Sequence, residues 1–176
     1  MQESQVRDII EKIVDQVLSG EQSKATKAVK TYKVALGGDH GGFEMKQFLV
    51  AKLKELGHNI TDCGTNSKDA VDYPDIALAV AKQVASGQVH YGIMIDGAGI
   101  GSAMCANKVK GIRAAMAYSD KTILNSKLHN HANVLTLGAL YHTNDEAYAL
   151  AKLWLETEFE GGRHQKRIDK MMDIER

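Results

Sequence analysis

From residue 33 onward, short apolar runs alternate with amphipathic stretches, and no other feature limits the fold of this chain so tightly. "KVALGGDHGG" is an apolar run that breaks into glycines around Asp39 and His40, and "FEMKQFLVAKLKELG" follows with helical spacing and Gly57 at its end. "HNITDCGT" reads as a second strand, and "YPDIALAVAKQVASG" as a helix opened by Pro74 and closed by Gly87. "YGIMID", "IRAAMAYS" and "NVLTLG" supply three more strands, followed in turn by the helical stretches "GSAMCANKV", "DKTILNSKLH" and "NDEAYALAKLWLET", the last of them expected to begin a long final helix. Strands and helices alternating through short connections predict an α/β fold with a five-stranded, parallel, doubly wound sheet. In such sheets ligands bind at the carboxyl ends of the strands.

The chain has 176 residues, enough for one well-cored domain with an appendage. Its 22 lysines and arginines balance 22 aspartates and glutamates, so no net field draws it to nucleic acid or to an anionic membrane. Two cysteines, Cys63 and Cys105, make neither a disulfide framework nor a zinc cluster, and a reduced cytoplasmic compartment is the simplest setting. No run approaches the roughly 18 apolar residues of a membrane span. The partners expected are small molecules or proteins.

Residues 1–20 have a different character. Val6, Ile9, Ile10, Ile13, Val14, Val17 and Leu18 fall on one helical stripe, with Ser4 placed to cap its start and Gly20 to end it. Residues 21–32, beginning "EQSKATKAVKT", are polar and read as a linker to a domain over 33–176. A short helix of this kind needs a surface for its stripe. Packing on its own domain or on its copy, binding at a membrane surface, and docking in a partner's groove all meet that need. Mixed charge and a lack of aromatics on the polar face weigh against the membrane. A helix of this length, rich in Ile, Val and Leu and joined by a polar linker to an enzyme, resembles the encapsulation peptides of bacterial microcompartments. That resemblance implies docking to a shell protein through residues 1–20.

Polar residues gather where the strands end. Asp39 and His40 follow the first, Asp96 and the turn Gly97-Ala98-Gly99-Ile100-Gly101 follow the third, and the helix before the fifth ends in His129 and Asn130. One crevice is expected to collect them all. A glycine turn opening a helix bares N–H groups beside the positive end of the helix dipole, which suits a phosphate or a developing oxyanion. It is not the dinucleotide fingerprint, which belongs to the first strand–helix turn.

In this order and spacing, "GGDHGGFEMK", "DYPD", "DGAGIG…ANKVKGIRAA", "HNHANVLTLG" and "FEGGRHQKR" resemble the type B ribose-5-phosphate isomerases and the related galactose-6-phosphate isomerase subunits, over roughly residues 33–174. The resemblance implies a Rossmann-like three-layer sandwich and a homodimer or tetramer with active sites shared between subunits. It also implies no metal or cofactor, and interconversion of phosphorylated aldoses and ketoses through an enediolate. Asp39, Tyr73, His129 and Asn130 would hold the sugar, with His129 helping to open its ring. His40, Arg163 and Arg167 would hold the phosphate, the arginines reaching in from a neighbouring subunit. The turn 97–101 would donate its N–H groups to the enediolate oxygen. Each assignment has a plainer counterpart: Asp39 capping the first helix, His129 as a solvated helix end, Arg163 and Arg167 as an exposed basic face.

Three positions depart from that family's usual pattern. Asp96 stands where the type B enzymes commonly carry a cysteine base, Ala98 where they carry threonine, and Leu140 where many carry a phosphate-contacting arginine. A carboxylate is ionised at neutral pH without help but is a weaker base than a thiolate, and other enzymes use one to isomerise sugar phosphates. Two readings follow. Asp96 is the working base of an isomerase whose sugar differs from ribose 5-phosphate, or the site is impaired and the chain binds a sugar phosphate or serves as a partner-dependent subunit.

Overall fold

A computed structural model describes residues 30–175, so the helix and shell contact expected of residues 1–20, and most of the linker, lie outside the described residues. Five strands, β1 (Lys33–Gly38), β2 (Asn59–Asp62), β3 (Tyr91–Asp96), β4 (Ala114–Met116) and β5 (Val134–Gly138), form one sheet in the order β2-β1-β3-β5-β4. Every pairing is parallel. The expected five-stranded parallel sheet is therefore observed. The chain steps outward from β1 to β2 and then back across to β3, and this reversal opens a crevice above the ends of β1 and β3.

The helices α1 (Phe43–Glu55), α2 (Tyr73–Ala85), α3 (Ile100–Ala106), α4 (Asp120–Leu128), α5 (Asn144–Glu156) and α6 (Arg163–Met172) complete the fold. Leu49 and Leu53 of α1, Ile123 of α4 and Trp154 of α5 pack with Ile93 and Leu135 on one face of the sheet. Ala77, Val80 and Val84 of α2 and Ala106 of α3 pack with Met94 and Val134 on the other. Because parallel strands are covered on both faces, β3 and β5 are buried almost throughout, which is why their sequences read as unbroken apolar runs.

Several helix boundaries follow local chemistry. Pro74 sits in the first turn of α2. The segments leading into α4 and α5 carry capping boxes, Ser119 with Thr122 and Thr143 with Glu146. The final helix is not one long element, as expected from sequence. Gly161 and Gly162, both at positive φ, break the chain after α5, and α6 starts anew at Arg163. Two of the last residues of the expected linker are attached to the domain: Tyr32 packs against the core and stacks on His58 at 5.8 Å between centroids, and Lys30 pairs with Glu158.

Candidate functional site

Asp39 leaves β1 beside Ile95, whose carbonyl accepts its N–H at 3.1 Å, so Asp39 and Asp96 end adjacent strands side by side. Both are buried. Asp39 Oδ1 accepts from Gly42 N at 2.9 Å, closing the turn before α1. Gly42 itself is the N-cap and no side chain caps the helix, so Asp39 does not take the capping role of the plainer reading. His40 is exposed on the same edge, its Nδ1 near the main chain of Val71.

The turn after β3 is organised by Asp96, which is only 5% exposed. Its Oδ1 accepts from Ala98 N at 2.8 Å and from Gly99 N, and its Oδ2 from Ser102 N at 3.1 Å and from the Ser102 hydroxyl. The carboxylate thus fills the donor cradle of its own turn, as a bound anion would. Two N–H groups expected to face an enediolate oxygen are donated to Asp96 instead. The cradle is braced from outside: the Tyr118 hydroxyl donates to Ala98 O, and Thr136 Oγ1 to Gly99 O at 2.8 Å.

Gly99 holds φ +76° at the start of α3, a conformation that favours glycine. Gly101 has a different reason to lack a side chain. A Cβ there would come within 2.6 Å of the Tyr73 ring and hydroxyl, so the phenol lies directly on the turn. Leu140 bonds its N–H to Gly97 O at 3.1 Å and leaves its side chain 82% exposed beside the turn. An apolar side chain therefore borders the turn at this departure from the family pattern.

His129 and Asn130 are elsewhere. A helix between parallel strands runs antiparallel to them, so the C-terminal end of α4 lies at the edge where strands begin. The residues that follow confirm this, since Asn133 O accepts from Gly92 N at the start of β3. Asp96 lies four residues further along that strand, a rise of about 13 Å. One crevice of one chain does not collect all the expected residues. The structure instead brings His129 against His164 beside Arg163 at the opposite edge, with Asn130 next in the chain and Arg167 one turn further along α6.

At that second edge the His129 and His164 rings stack at 4.3 Å with 9° between planes. Glu160 Oε2 lies 3.5 Å from Nε2 of each. His129 Nδ1 meets the Asn125 side-chain amide at 3.0 Å, and Asn130 Nδ2 bonds Asn125 Oδ1 at 2.9 Å. Arg163 Nε donates to His164 Nε2 at 3.3 Å. Desolvation and then the neighbouring His129, with the two arginines adding to it, hold the His164 imidazole below its ordinary value, so it favours the neutral form. Among the described residues, His129, Glu160 and His164 are a group whose ligand atoms are placed to hold a metal ion.

Sequence reasoning assigned nothing to Ser102, Tyr118, Glu160 or His164. Glu160 and His164 stand within "FEGGRHQKR", and their neighbours were read there for phosphate chemistry alone. Ser102 and Tyr118 carried no signal, because their role depends on where the turn folds back.

Comparison with known proteins places these residues in context. The family described as Ribose/Galactose Isomerase matches residues 34–171. Ribose-5-phosphate isomerase B of Escherichia coli is 41% identical over 143 residues, spanning 81% of this chain and 96% of that protein. The corresponding Listeria innocua protein is 40% identical over 143 residues, spanning 81% and 97%. Among solved structures, Clostridium thermocellum ribose-5-phosphate isomerase B superposes with a TM-score of 0.80 at 43% identity, covering 81% of this chain and 97% of that one. Mycoplasma genitalium ribose-5-phosphate isomerase B, solved with bound ribulose-5-phosphate, gives 0.79 at 40% identity, covering 84% and 97%.

Proposed function

Since this chain belongs to the ribose/galactose isomerase family, we propose that it is an aldose–ketose isomerase acting on a phosphorylated pentose or a related hexose. The observation that carries this reading is the match to sugar-phosphate isomerases across nearly the whole domain, with one relative holding ribulose-5-phosphate. The reaction moves one proton from the carbon beside the carbonyl to the old carbonyl carbon, through an enediolate, and a second from the hydroxyl on the first carbon to the old carbonyl oxygen. It needs a base, donors for the enediolate oxygen, and groups that hold the sugar and phosphate.

The strand-end edge supplies Asp39, His40, Tyr73, Asp96 and the turn 97–101. The opposite edge supplies His129, Asn130, Arg163 and Arg167. Neither set is complete, and a second copy turned about a two-fold axis would bring the second edge of one chain to the first edge of the other, twice per dimer. This is the reading we adopt for the shared site, with the arginines gripping phosphate through bidentate hydrogen bonds.

Asp96 serves as the base in this account, and its bonds suggest how it is released. A substrate oxygen entering the cradle competes for the Ala98 and Gly99 N–H groups. As negative charge grows on that oxygen it takes those donors, and a lone pair of Asp96 Oδ1 turns free to receive the proton. Leu140 replaces a charged contact with an apolar one, which favours a sugar other than ribose 5-phosphate.

The same four bonds also support a second reading. If they never open, the chain binds a sugar phosphate without turning it over, or works only beside another subunit. For residues 1–20 we adopt docking to a microcompartment shell, which predicts that their deletion leaves activity and oligomeric state unchanged. Among the described residues no helix is long and apolar enough to cross a membrane. The test of the isomerase reading is a panel of five- and six-carbon aldose and ketose phosphates followed by NMR. Conversion of one sugar upholds it, and binding without conversion across the panel supports the second reading.

A further inference from the structure

We propose that His129, Glu160 and His164 form a binding site for a borderline divalent cation such as Zn²⁺, and that the ion inhibits the protein. The ligand set is two imidazoles and a carboxylate, a combination common in sites for zinc and its neighbours. In a tetrahedral site with metal–ligand bonds of about 2.0–2.1 Å, ligand atoms stand about 3.4 Å apart. Glu160 Oε2 already lies 3.5 Å from Nε2 of both histidines, and all three ligand atoms fall within 4.8 Å of one another. The spacing of the ligand atoms already suits the ion, and what must change is the orientation of one ring.

The surroundings fix which atoms bind. Arg163 Nε, always protonated, donates to His164 Nε2, so that nitrogen carries a lone pair rather than a hydrogen. His164 is buried, so its ring is held in place. His129 Nδ1 is engaged by the Asn125 side-chain amide; turned to present its oxygen, that amide leaves Nε2 for the metal at the cost of the Asn130 Nδ2 bond to Asn125 Oδ1, while Asn130 keeps its bond to Asn125 O. The rings are stacked nearly parallel, so ligation turns one of them. His129, half-exposed at the end of α4, is the one able to turn.

Arg163 opposes the ion in two ways, as a nearby cation and as a competitor for the His164 lone pair. Binding is therefore expected to be weaker than at a dedicated zinc site. The inhibitory part of the proposal rests on the isomerase reading, in which His129 serves the sugar and an ion would withdraw it. Binding itself does not rest on that reading.

The experiment is a cobalt titration of the full-length, metal-stripped protein, read by the intense visible absorption of tetrahedral Co²⁺, with Zn²⁺ displacing it. The wild type is expected to develop the band at one equivalent. Glu160→Gln, an exposed and conservative change, should weaken binding at least about tenfold, and His164→Gln should do the same. Arg163→Ala should strengthen it. An absent band, or a band unchanged in Glu160→Gln and His164→Gln, overturns the proposal, since the ion then does not bind or sits elsewhere, as at Cys63 or Cys105. With a substrate in hand, Zn²⁺ should inhibit the wild type and spare Glu160→Gln, and equal inhibition of both refutes the inhibitory role. A protein silent on every sugar phosphate but showing the Glu160-dependent band would sink the isomerase reading and leave the metal site standing.

Discussion

Asp96 Oδ2 accepts two hydrogen bonds from a single residue, Ser102, one from its main-chain N–H and one from its hydroxyl. Ser102 is fully buried at the start of α3, so the pair ties the end of β3 to the helix that follows. Removing the hydroxyl leaves Oδ2 one donor poorer in a place water does not reach. Ser102→Ala is expected to lose about 1–2 kcal/mol in urea unfolding. Because the substitution loosens the carboxylate without removing it, substrate deuterium exchange should survive. Loss of exchange in a folded Ser102→Ala protein would mean that the hydroxyl does more than hold Asp96.

The Tyr73 ring lies where a side chain at position 101 would begin. Gly101→Ala should therefore cost about 1–3 kcal/mol by overpacking and weaken substrate binding by displacing the phenol. Adding Tyr73→Ala removes the obstacle, so the double variant should regain stability relative to Gly101→Ala alone, though not binding. Additive losses in thermal unfolding would show that the two residues do not meet.

Lys127 is buried with its ammonium 3.7 Å from the centre of the Tyr91 ring and 4.5 Å from that of Trp154. Its Nζ has no hydrogen-bond partner among the described residues. Burial, and then the charge of Arg113, push it down to about 8 from 10.5. The folded value lies below the unfolded one, so the folded state favours the neutral amine. The charge opposes folding by a constant amount below pH 8, and the penalty fades as pH rises toward 10.5. That difference corresponds to about 3 kcal/mol, part of which the two rings return. Lys127→Met is expected to be more stable than wild type by less than about 3 kcal/mol at pH 7, with the advantage shrinking above pH 8. Urea unfolding across that range checks it, and an advantage independent of pH would contradict it.

If two edges from different chains build each site, two inactive variants can repair one another. Asp96→Asn damages the strand-end half, and Arg163→Ala with Arg167→Ala damages the other. After mixing and reassociation, half of the dimers are heterodimers with one intact site of two, so activity should return to about a quarter of wild type. No recovery, with subunit exchange verified by mass, would show that the two edges do not build one site across chains.

Much of this was legible beforehand. Alternating apolar runs predicted the five parallel strands, and Pro74, Gly57 and Gly87 marked helix limits that the structure keeps. Asp39, His40 and Asp96 were assigned to one edge, because residues directly after a strand must lie there, whereas Tyr73 came only from the resemblance. His129 and Asn130 were misplaced by overlooking direction: they end a helix, and a helix between parallel strands delivers its C-terminus to the opposite edge. The separate α6 was missed because the break depends on two glycines adopting positive φ, which "GG" permits but does not require. The bonds that hold Asp96 were also hidden. Nothing in the spacing of Asp96, Ala98, Gly99 and Ser102 states that a carboxylate will turn back into its own cradle.

The most direct test of the account is deuterium incorporation from D₂O into the sugar phosphate that the protein converts, compared between wild type and Asp96→Asn. The account predicts that wild type places deuterium on the carbon beside the carbonyl, and that Asp96→Asn, shown to be folded and to bind the same sugar, places none. Deuterium entering at the same rate in both proteins would contradict it, and Asp96 would then be a support of the turn rather than the base.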